Sequence, residues 1–178
     1  MGKVELGDQI ASFTVDTITG IPVTLPIAGS EYTHLQFRRF AGCPVCNFHL
    51  LTMARRQDEI AAAGINEVVV FHSHQDEMLK YQAQLPFHCV ADPSKRLYRQ
   101  FGVENSLRAL FHPGVLLNGA KWVVGQRRFY RKAENGIFGL PADIMINRSG
   151  QVVAVKYGNH ADDQWSVDDL LKIAAALA

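Results

Sequence analysis

Residues 67–71, with the sequence EVVVF, limit the possible folds of this chain more than any other feature. A nearly continuous apolar run of this length is typical of a strand buried on both faces, as in parallel sheets. Helical patterns precede it over residues 44–63 and follow it over 75–84, and a short strand is predicted at 88–91. Strands that alternate with helices indicate right-handed crossovers and parallel pairing. We therefore predict an α/β fold built around a central sheet.

The remaining predicted elements extend this core at both ends of the chain. They are a hairpin over residues 11–25, a strand over 32–38, a helix from 92 to 101, a strand pair at 142–146 and 151–157, and a final helix that begins at Ser166. The strand pair, joined by a turn at 147–150, adds antiparallel strands to the sheet. The prediction is a central mixed sheet with helices on both faces and an N-terminal β-hairpin.

Length and charge narrow the functional classes. A chain of 178 residues can bury the core of one domain, so we predict a single domain over residues 1–178. The net charge of +1 gives no indication of a nucleic acid or membrane partner. No apolar run approaches the roughly 20 residues of a membrane helix, and the first residues lack the apolar region of a signal peptide. We therefore expect a cytoplasmic protein, a compartment in which thiols stay reduced.

The stretch GCPVC carries two cysteines, Cys43 and Cys46, between a predicted strand and a predicted helix. At a helix N-terminus, unpaired N–H groups and the helix dipole stabilise a thiolate, and Arg38 or Arg39 would add to this effect. Such surroundings lower a cysteine pKa from about 8.5 to between roughly 3.5 and 7.5. The spacing favours a redox dithiol.

Two other interpretations of the cysteine pair stay open. A structural zinc site needs four ligands, and the chain has neither a second C-x-x-C nor a pair of closely spaced histidines of the zinc-finger type. The third interpretation is a pair of buried, inert thiols, which is the usual state of free cysteine. The third cysteine of the chain, Cys89, is predicted to be such a thiol. No metal ion or cofactor is expected.

The charge argument also predicts which thiol is activated. Cys43 lies nearer to the start of the helix and to the two arginines, whereas Cys46 lies one turn further on, on the face of Leu50. Dipole and cation favour charge at the helix start, and burial disfavours it further in. From the residues alone, Cys43 is predicted to have the lower pKa and Cys46 to be more buried.

Several stretches, taken in order, resemble the AhpC/TSA family of the thioredoxin-like superfamily, and in particular its peroxiredoxin-like branch. These are GDQIASFTV, the RR-x-x-G-C-x-x-C stretch, EVVVFHSHQDEMLKY, ADPSKRLYRQFGV and GLPADIMINRSGQVV. The resemblance implies a thioredoxin-like fold of the peroxiredoxin type and a thiol–disulfide oxidoreductase, with peroxide reduction as a further activity. It implies a peroxide or disulfide substrate and a thioredoxin- or glutathione-type reductant, and it is compatible with a homodimer.

The chain departs from the usual family motif, Pro-x-x-x-Thr-x-x-Cys. If Cys46 takes the place of the peroxidatic cysteine, Arg39 stands at the proline position and Cys43 at the threonine position. This change favours a Cys43–Cys46 disulfide. The usual arginine near the later strand is not evident, so Arg38 and Arg39 are expected to supply the charge and to contact substrate. The family motif names Cys46 as the attacking thiol, whereas thioredoxin logic names Cys43.

Pro141 is the last predicted site residue, because thioredoxin-like folds place a cis-proline opposite the dithiol. It stands just before the predicted strand at 142, where it would pair its backbone with substrate. His72 and His74, at the end of a predicted strand, are expected to serve as polar caps of that strand. The alternative to an enzyme is a redox-sensing or scaffold protein that keeps the fold without turnover. A Cys/His metal-binding module is a further alternative.

Overall fold

Five strands pair into one mixed sheet in a computed structural model of the chain, which describes residues 2–103 and 139–177. The strands of the described residues are β1 (Phe13–Asp16), β2 (Pro22–Leu25), β3 (Tyr32–Arg38), β4 (Ile65–Phe71), β5 (His88–Ala91), β6 (Ala142–Asn147) and β7 (Val152–Tyr157). The helices are α1 (Pro44–Arg55), α2 (Gln57–Ala62), α3 (Gln75–Leu79), α4 (Arg96–Gln100) and α5 (Val167–Leu177).

The strand order of the sheet is β5-β4-β3-β6-β7, with β3 at its centre. Strand β4 pairs with β3 and with β5 in parallel, whereas β6 pairs with β3 and with β7 in antiparallel orientation. The first two strands form a separate antiparallel hairpin. The predicted central mixed sheet, its antiparallel strands and the N-terminal hairpin are confirmed.

Two apolar cores cover the two faces of the sheet. On one face, Leu35 and Phe37 of β3 pack with side chains of α4 and of the hairpin. On the other face, side chains of α1, α2 and α5 pack over β4 and β6. Because side chains alternate along a strand, His34, Gln36 and Arg38 of β3 point into this second layer, under α1.

The predicted helix over residues 44–63 is wrong as a single element, because it breaks at Arg56. The backbone of Arg56 leaves the helical region at φ −114° and ψ 22°. Its guanidinium bonds to Glu59 at 2.7 Å and to Asp168 at the start of α5, also at 2.7 Å. The sequence shows neither glycine nor proline at this point, so nothing local indicates the break. The helix does end as predicted before Gly64, whose φ of +73° suits glycine.

Two further helices are shorter than predicted. Helix α3 ends at Leu79 rather than at residue 84, and α4 begins at Arg96 rather than at 92. The Asp92 carboxylate accepts from the backbone N–H groups of Arg96 at 2.9 Å and Leu97 at 2.7 Å, so it caps the helix from outside. The predicted capping box of α5 is confirmed by the reciprocal bonds between Ser166 and Asp169.

The sequence also favours short helices near residues 107–111, a solvated basic run at 126–132 and a packing role for Trp122. These predictions fall on residues 104–138, outside the described residues. Within the described ranges, no helix is long and apolar enough to cross a membrane.

Candidate functional site

The two cysteines lie at the carboxyl end of β3, the edge where α/β sheets place their sites. Cys43 is the N-cap of α1, and Pro44 occupies its first turn, where a missing N–H costs nothing. The backbone N–H of Cys46 points at the sulfur of Cys43, 3.5 Å away. The two sulfur atoms lie 2.9 Å apart, so the predicted proximity of the dithiol is confirmed. Both cysteines are free thiols.

Hydrogen bonds from α1 and from two loops hold the segment before α1 in place. The Asn47 side-chain amide donates to the carbonyl groups of Ala41 at 2.7 Å and Cys43 at 2.8 Å. Gln82, which is buried, donates to the same Ala41 carbonyl at 2.9 Å, and the Ser73 hydroxyl accepts from the Ala41 N–H at 2.9 Å. The dithiol loop therefore has a defined conformation in the reduced protein.

The surroundings of Cys46 favour its thiolate. Burial by itself would raise the pKa of Cys46, but three groups outweigh it and bring this pKa to about 7. These groups are the Cys43 thiol, whose sulfur shares a hydrogen bond with that of Cys46, the charge of Arg39, and the backbone N–H of Arg39, which donates to the Cys46 sulfur. The charge of Arg38 adds a smaller contribution in the same direction. These surroundings therefore favour ionisation of Cys46 over that of an ordinary buried thiol.

The prediction that Cys43 has the lower pKa is wrong. Burial raises the pKa of Cys43 well above its usual value, and the neighbouring Cys46 raises it further. The predicted difference in burial is also absent, since both cysteines have 0% exposed surface. At 2.9 Å the two sulfur atoms share one S–H···S contact, so one thiol keeps its proton when the other ionises, and the order of the pKa values favours the charge on Cys46.

This arrangement predicts that Cys43 tunes Cys46 through its S–H donor. In Cys43→Ala the donor is lost, and we expect the pKa of Cys46 to rise above its value of about 7 in the wild type. Cys43→Ser keeps a hydroxyl donor and serves as the matched control, with a smaller rise. The rate of alkylation of Cys46 by iodoacetamide, followed against pH and mapped by mass spectrometry, gives the midpoint for each protein. Equal midpoints in the alanine and serine variants would contradict a role for the donor.

The two arginines before the dithiol differ in their contacts. Arg39 is 5% exposed, and its Nη1 lies 3.8 Å from the sulfur of Cys43. Arg38 is fully buried and forms an ion pair with Asp143 at 2.6 Å. The expected charge near the cysteines is therefore present in both residues. Of the two, Arg39 is the one whose guanidinium contacts a cysteine sulfur.

Sequence reasoning missed a line of buried polar side chains behind the site. His34 pairs with Glu67 at 2.7 Å on one side and with Asp143 at 3.1 Å on the other. Asp143 in turn pairs with Arg38, and Gln36 donates to Glu67. The only sequence signal is the alternation of polar residues in β3, and in an isolated strand that alternation would indicate a solvent-exposed face.

The predicted cis-proline at Pro141 is wrong. In the described part of the chain the one cis peptide bond precedes Pro26, so the Leu140–Pro141 bond is trans. The carbonyl of Pro141 accepts from the N–H of Gly158 at 2.9 Å, which continues the pairing of β6 with β7. The loop still approaches the site: a Cβ placed on Gly139 would lie 3.6 Å from the Arg39 side chain.

Other residues considered from the sequence lie apart from the dithiol chemistry. Cys89 is 2% exposed, and burial raises its pKa to about 12, as expected for an inert thiol. His72 is buried, and its backbone N–H donates to the carbonyl of Arg39 at 3.2 Å. His74 stands immediately before α3. Among the described residues, no three His, Cys, Asp or Glu side chains come together as a metal site would require.

Comparison with known proteins places this architecture among thiol enzymes. The model of the AhpC/TSA family matches residues 6–155. No curated protein sequence matches the chain. Peroxidoxin BcpB from Mycobacterium tuberculosis is similar in structure, with a TM-score of 0.73 at 17% identity over 98% of this chain and 99% of that one.

Two further solved structures share the fold. The reduced 2-Cys peroxiredoxin of Plasmodium vivax has a TM-score of 0.69 at 15% identity, over 98% of this chain and 82% of its own. A structure described as a thiol:disulfide interchange protein DsbE of Chlorobium tepidum has a TM-score of 0.62 at 20% identity, over 97% of this chain and 99% of its own. These likenesses show the fold, which is the predicted peroxiredoxin type.

Proposed function

Because the chain belongs to the AhpC/TSA family and is therefore a thiol-based oxidoreductase, we propose that Cys46 is its attacking thiol and Cys43 its resolving thiol. The observation that carries this assignment is the pair of sulfurs 2.9 Å apart, with the pKa of Cys46 lowered to about 7 and that of Cys43 raised. The thiolate is the nucleophile in such chemistry, so the thiol that ionises first attacks first.

With a peroxide as substrate, the proposed cycle has three steps. The Cys46 thiolate attacks one peroxide oxygen, the O–O bond breaks, and the other oxygen leaves as water or an alcohol after it takes a proton. Cys46 is then a sulfenic acid. The Cys43 thiol gives up its proton and attacks the Cys46 sulfur, so that an S–S bond forms and water leaves. An external thiol reductant of the thioredoxin or glutathione type reduces the disulfide to two thiols and is itself oxidised to a disulfide.

A disulfide substrate would use the same two thiols. The Cys46 thiolate attacks one sulfur of the substrate, whose other sulfur leaves as a thiolate, and Cys43 then displaces the mixed disulfide. Arg39 beside the dithiol is proposed to hold the developing negative charge in either reaction. The bond before Pro141 is trans, so no cis-proline role is proposed. Pro141 is proposed only to lie near the substrate, because its loop approaches Arg39.

A substrate can reach the buried Cys46 sulfur only if the structure opens locally. Neither sulfur has exposed surface, so the start of α1 has to open before a substrate reaches Cys46. The segment held by Asn47, Gln82 and Ser73 is the part of the described structure that would move. We further propose that residues 1–178 act as one domain, in a reducing compartment such as the cytoplasm, and that a homodimer is compatible with this activity.

The proposed dithiol predicts a specific disulfide. After one equivalent of hydrogen peroxide, peptide mapping should find Cys43 bonded to Cys46 and Cys89 still reduced, because only the first two sulfurs lie within bonding reach. Repeated cycles of peroxide consumption with added thioredoxin and its reductase would show turnover. Oxidation without turnover, with every reductant class tested, would favour a redox sensor. A disulfide that includes Cys89 would contradict the assignment.

A further inference from the structure

Arg38 is the largest fully buried side chain of the described residues, and hydrogen bonds hold its guanidinium from several directions. Its Nη2 donates to Asp143 at 2.6 Å and to the side chain of Gln36 at 2.5 Å, and its Nη1 donates to the Phe37 carbonyl at 3.2 Å. The same Nη2 lies 3.4 Å from Nε2 of His49, three residues after Cys46 on α1. The guanidinium is therefore held against the first turns of the dithiol helix.

Asp143 is itself fixed at both carboxylate oxygens. One oxygen accepts from Arg38 and from His34, and the other accepts from the backbone N–H of Trp165 at 3.2 Å. His34 is held in turn by Glu67. Burial opposes charge on His34, but Glu67 and Asp143 outweigh it and raise its pKa to about 9. Positive and negative groups thus alternate along this line, and its positive end is the one that meets α1.

Stability gives little reason for such a line of charges. Taking ions out of water costs several kcal/mol each, and well-packed apolar residues are often as stable as a buried ion pair. A fixed cation beside a reactive thiol has a functional use, because it favours the thiolate. The charged or titratable groups that influence Cys46 directly are Cys43, Arg39 and Arg38, and Tyr98 interacts with it as well. His49 and Asp143 face Arg38.

We propose that Asp143 is a positioning residue for the dithiol chemistry, which holds the Arg38 guanidinium under α1 so that its charge stabilises the Cys46 thiolate. The inference rests on the proposed function in that Cys46 is the attacking thiol. Asp143 acts through Arg38 and does not itself touch the sulfur atoms or the substrate.

The direction in which the pKa of Cys46 shifts when Asp143 is removed distinguishes a positioning role from a direct electrostatic one. If Asp143 were only a nearby negative charge, its removal would lower the pKa of Cys46, because like charges disfavour each other. If Asp143 positions Arg38, its removal frees the guanidinium to turn away, and the pKa of Cys46 rises. The two roles therefore predict opposite shifts.

The experiment measures the pKa of Cys46 from alkylation rates against pH, mapped by mass spectrometry, in the free protein. In Asp143→Leu we expect this pKa to rise above that of the wild type. Asp143→Asn keeps an oxygen that accepts from Arg38 and should show no rise. Asp168→Leu removes an exposed carboxylate of the Arg56 pair and is the matched control without effect.

A double-mutant cycle completes the test. If Asp143 acts through Arg38, then Asp143→Leu has no further effect on the pKa of Cys46 in an Arg38→Met background. The double variant replaces the buried pair with apolar side chains, so it keeps the test possible if Asp143→Leu alone fails to fold. A fall or no change in Asp143→Leu, additive effects in the cycle, or an equal rise in Asp143→Asn would overturn the proposal. Because no substrate is used, a failure of the proposed catalytic cycle would be seen separately, in the turnover assay.

Discussion

Cys46→Ser is expected to abolish the reaction of the protein with peroxide, whereas Cys43→Ser is expected to accumulate a sulfenic acid on Cys46. A serine hydroxyl does not ionise near neutral pH and cannot replace a thiolate nucleophile. The remaining thiols cannot take over, because burial raises the pKa of Cys43 well above normal and that of Cys89 to about 12. In Cys43→Ser the attack still occurs, but no thiol lies close enough to resolve its product.

The measurement is intact mass after one equivalent of hydrogen peroxide, with a dimedone-type reagent present to trap sulfenic acid. Wild-type protein should lose two protons and remain untrapped, Cys43→Ser should gain one trapping group, and Cys46→Ser should remain unchanged. Cys89→Ser, which removes the other buried thiol, is the matched control and should behave as the wild type. A trapped sulfenic acid on Cys43 in the Cys46→Ser protein would return the attacking role to the thiol at the helix start.

The location of the dithiol was accessible from the sequence because its determinants are local. The strand over residues 32–38 has the same bounds in the structure as in the prediction, and the proline at 44 begins the helix as expected. A short loop between a strand and a helix leaves few positions for two cysteines three residues apart. Their proximity therefore follows from the chain itself.

The order of the two pKa values was not accessible, because it depends on tertiary structure. The helix N-terminus indicated a charge on Cys43, but both thiols are equally buried, and contacts with Cys43 and Arg39 lower the pKa of Cys46. The backbone N–H of Arg39 makes one of these contacts. The direction in which one loop N–H points is set by the packed loop and cannot be inferred from residue spacing.

The buried polar line was hidden for a related reason. Within β3, the polar residues His34, Gln36 and Arg38 alternate with the apolar residues Leu35 and Phe37, as in a half-exposed strand. Its burial arises only when β4 and β6 pair on either side, which places Glu67 directly opposite His34 and Asp143 opposite Gln36. Long-range strand pairing, which a single sequence does not specify, creates both the partners and the low-dielectric surroundings.

Glu67→Leu is expected to lower the free energy of unfolding by about 3–5 kcal/mol, because it leaves His34 with one carboxylate where it had two. Glu67 is 4% exposed, and its carboxylate also accepts from Gln36, so the substitution removes a partner from two buried groups. Glu59→Leu is the matched control: its pair with Arg56 is solvent-exposed, so its loss should have a much smaller effect on the free energy of unfolding.

The pH dependence of stability gives this prediction a second readout. The pKa of His34 is raised from 6.5 to about 9 in the folded protein, so the folded state binds this proton more tightly than the unfolded state. The stabilisation is then complete below pH 6.5 and is lost as the pH rises through 9. Without Glu67 the pKa of His34 falls towards its unfolded value, and the decline between these limits becomes shallower. Urea unfolding at pH 6, 7, 8 and 9 compares the proteins. Equal losses in Glu67→Leu and Glu59→Leu, or parallel profiles in Glu67→Leu and the wild type, would show that the buried imidazolium contributes nothing to the fold.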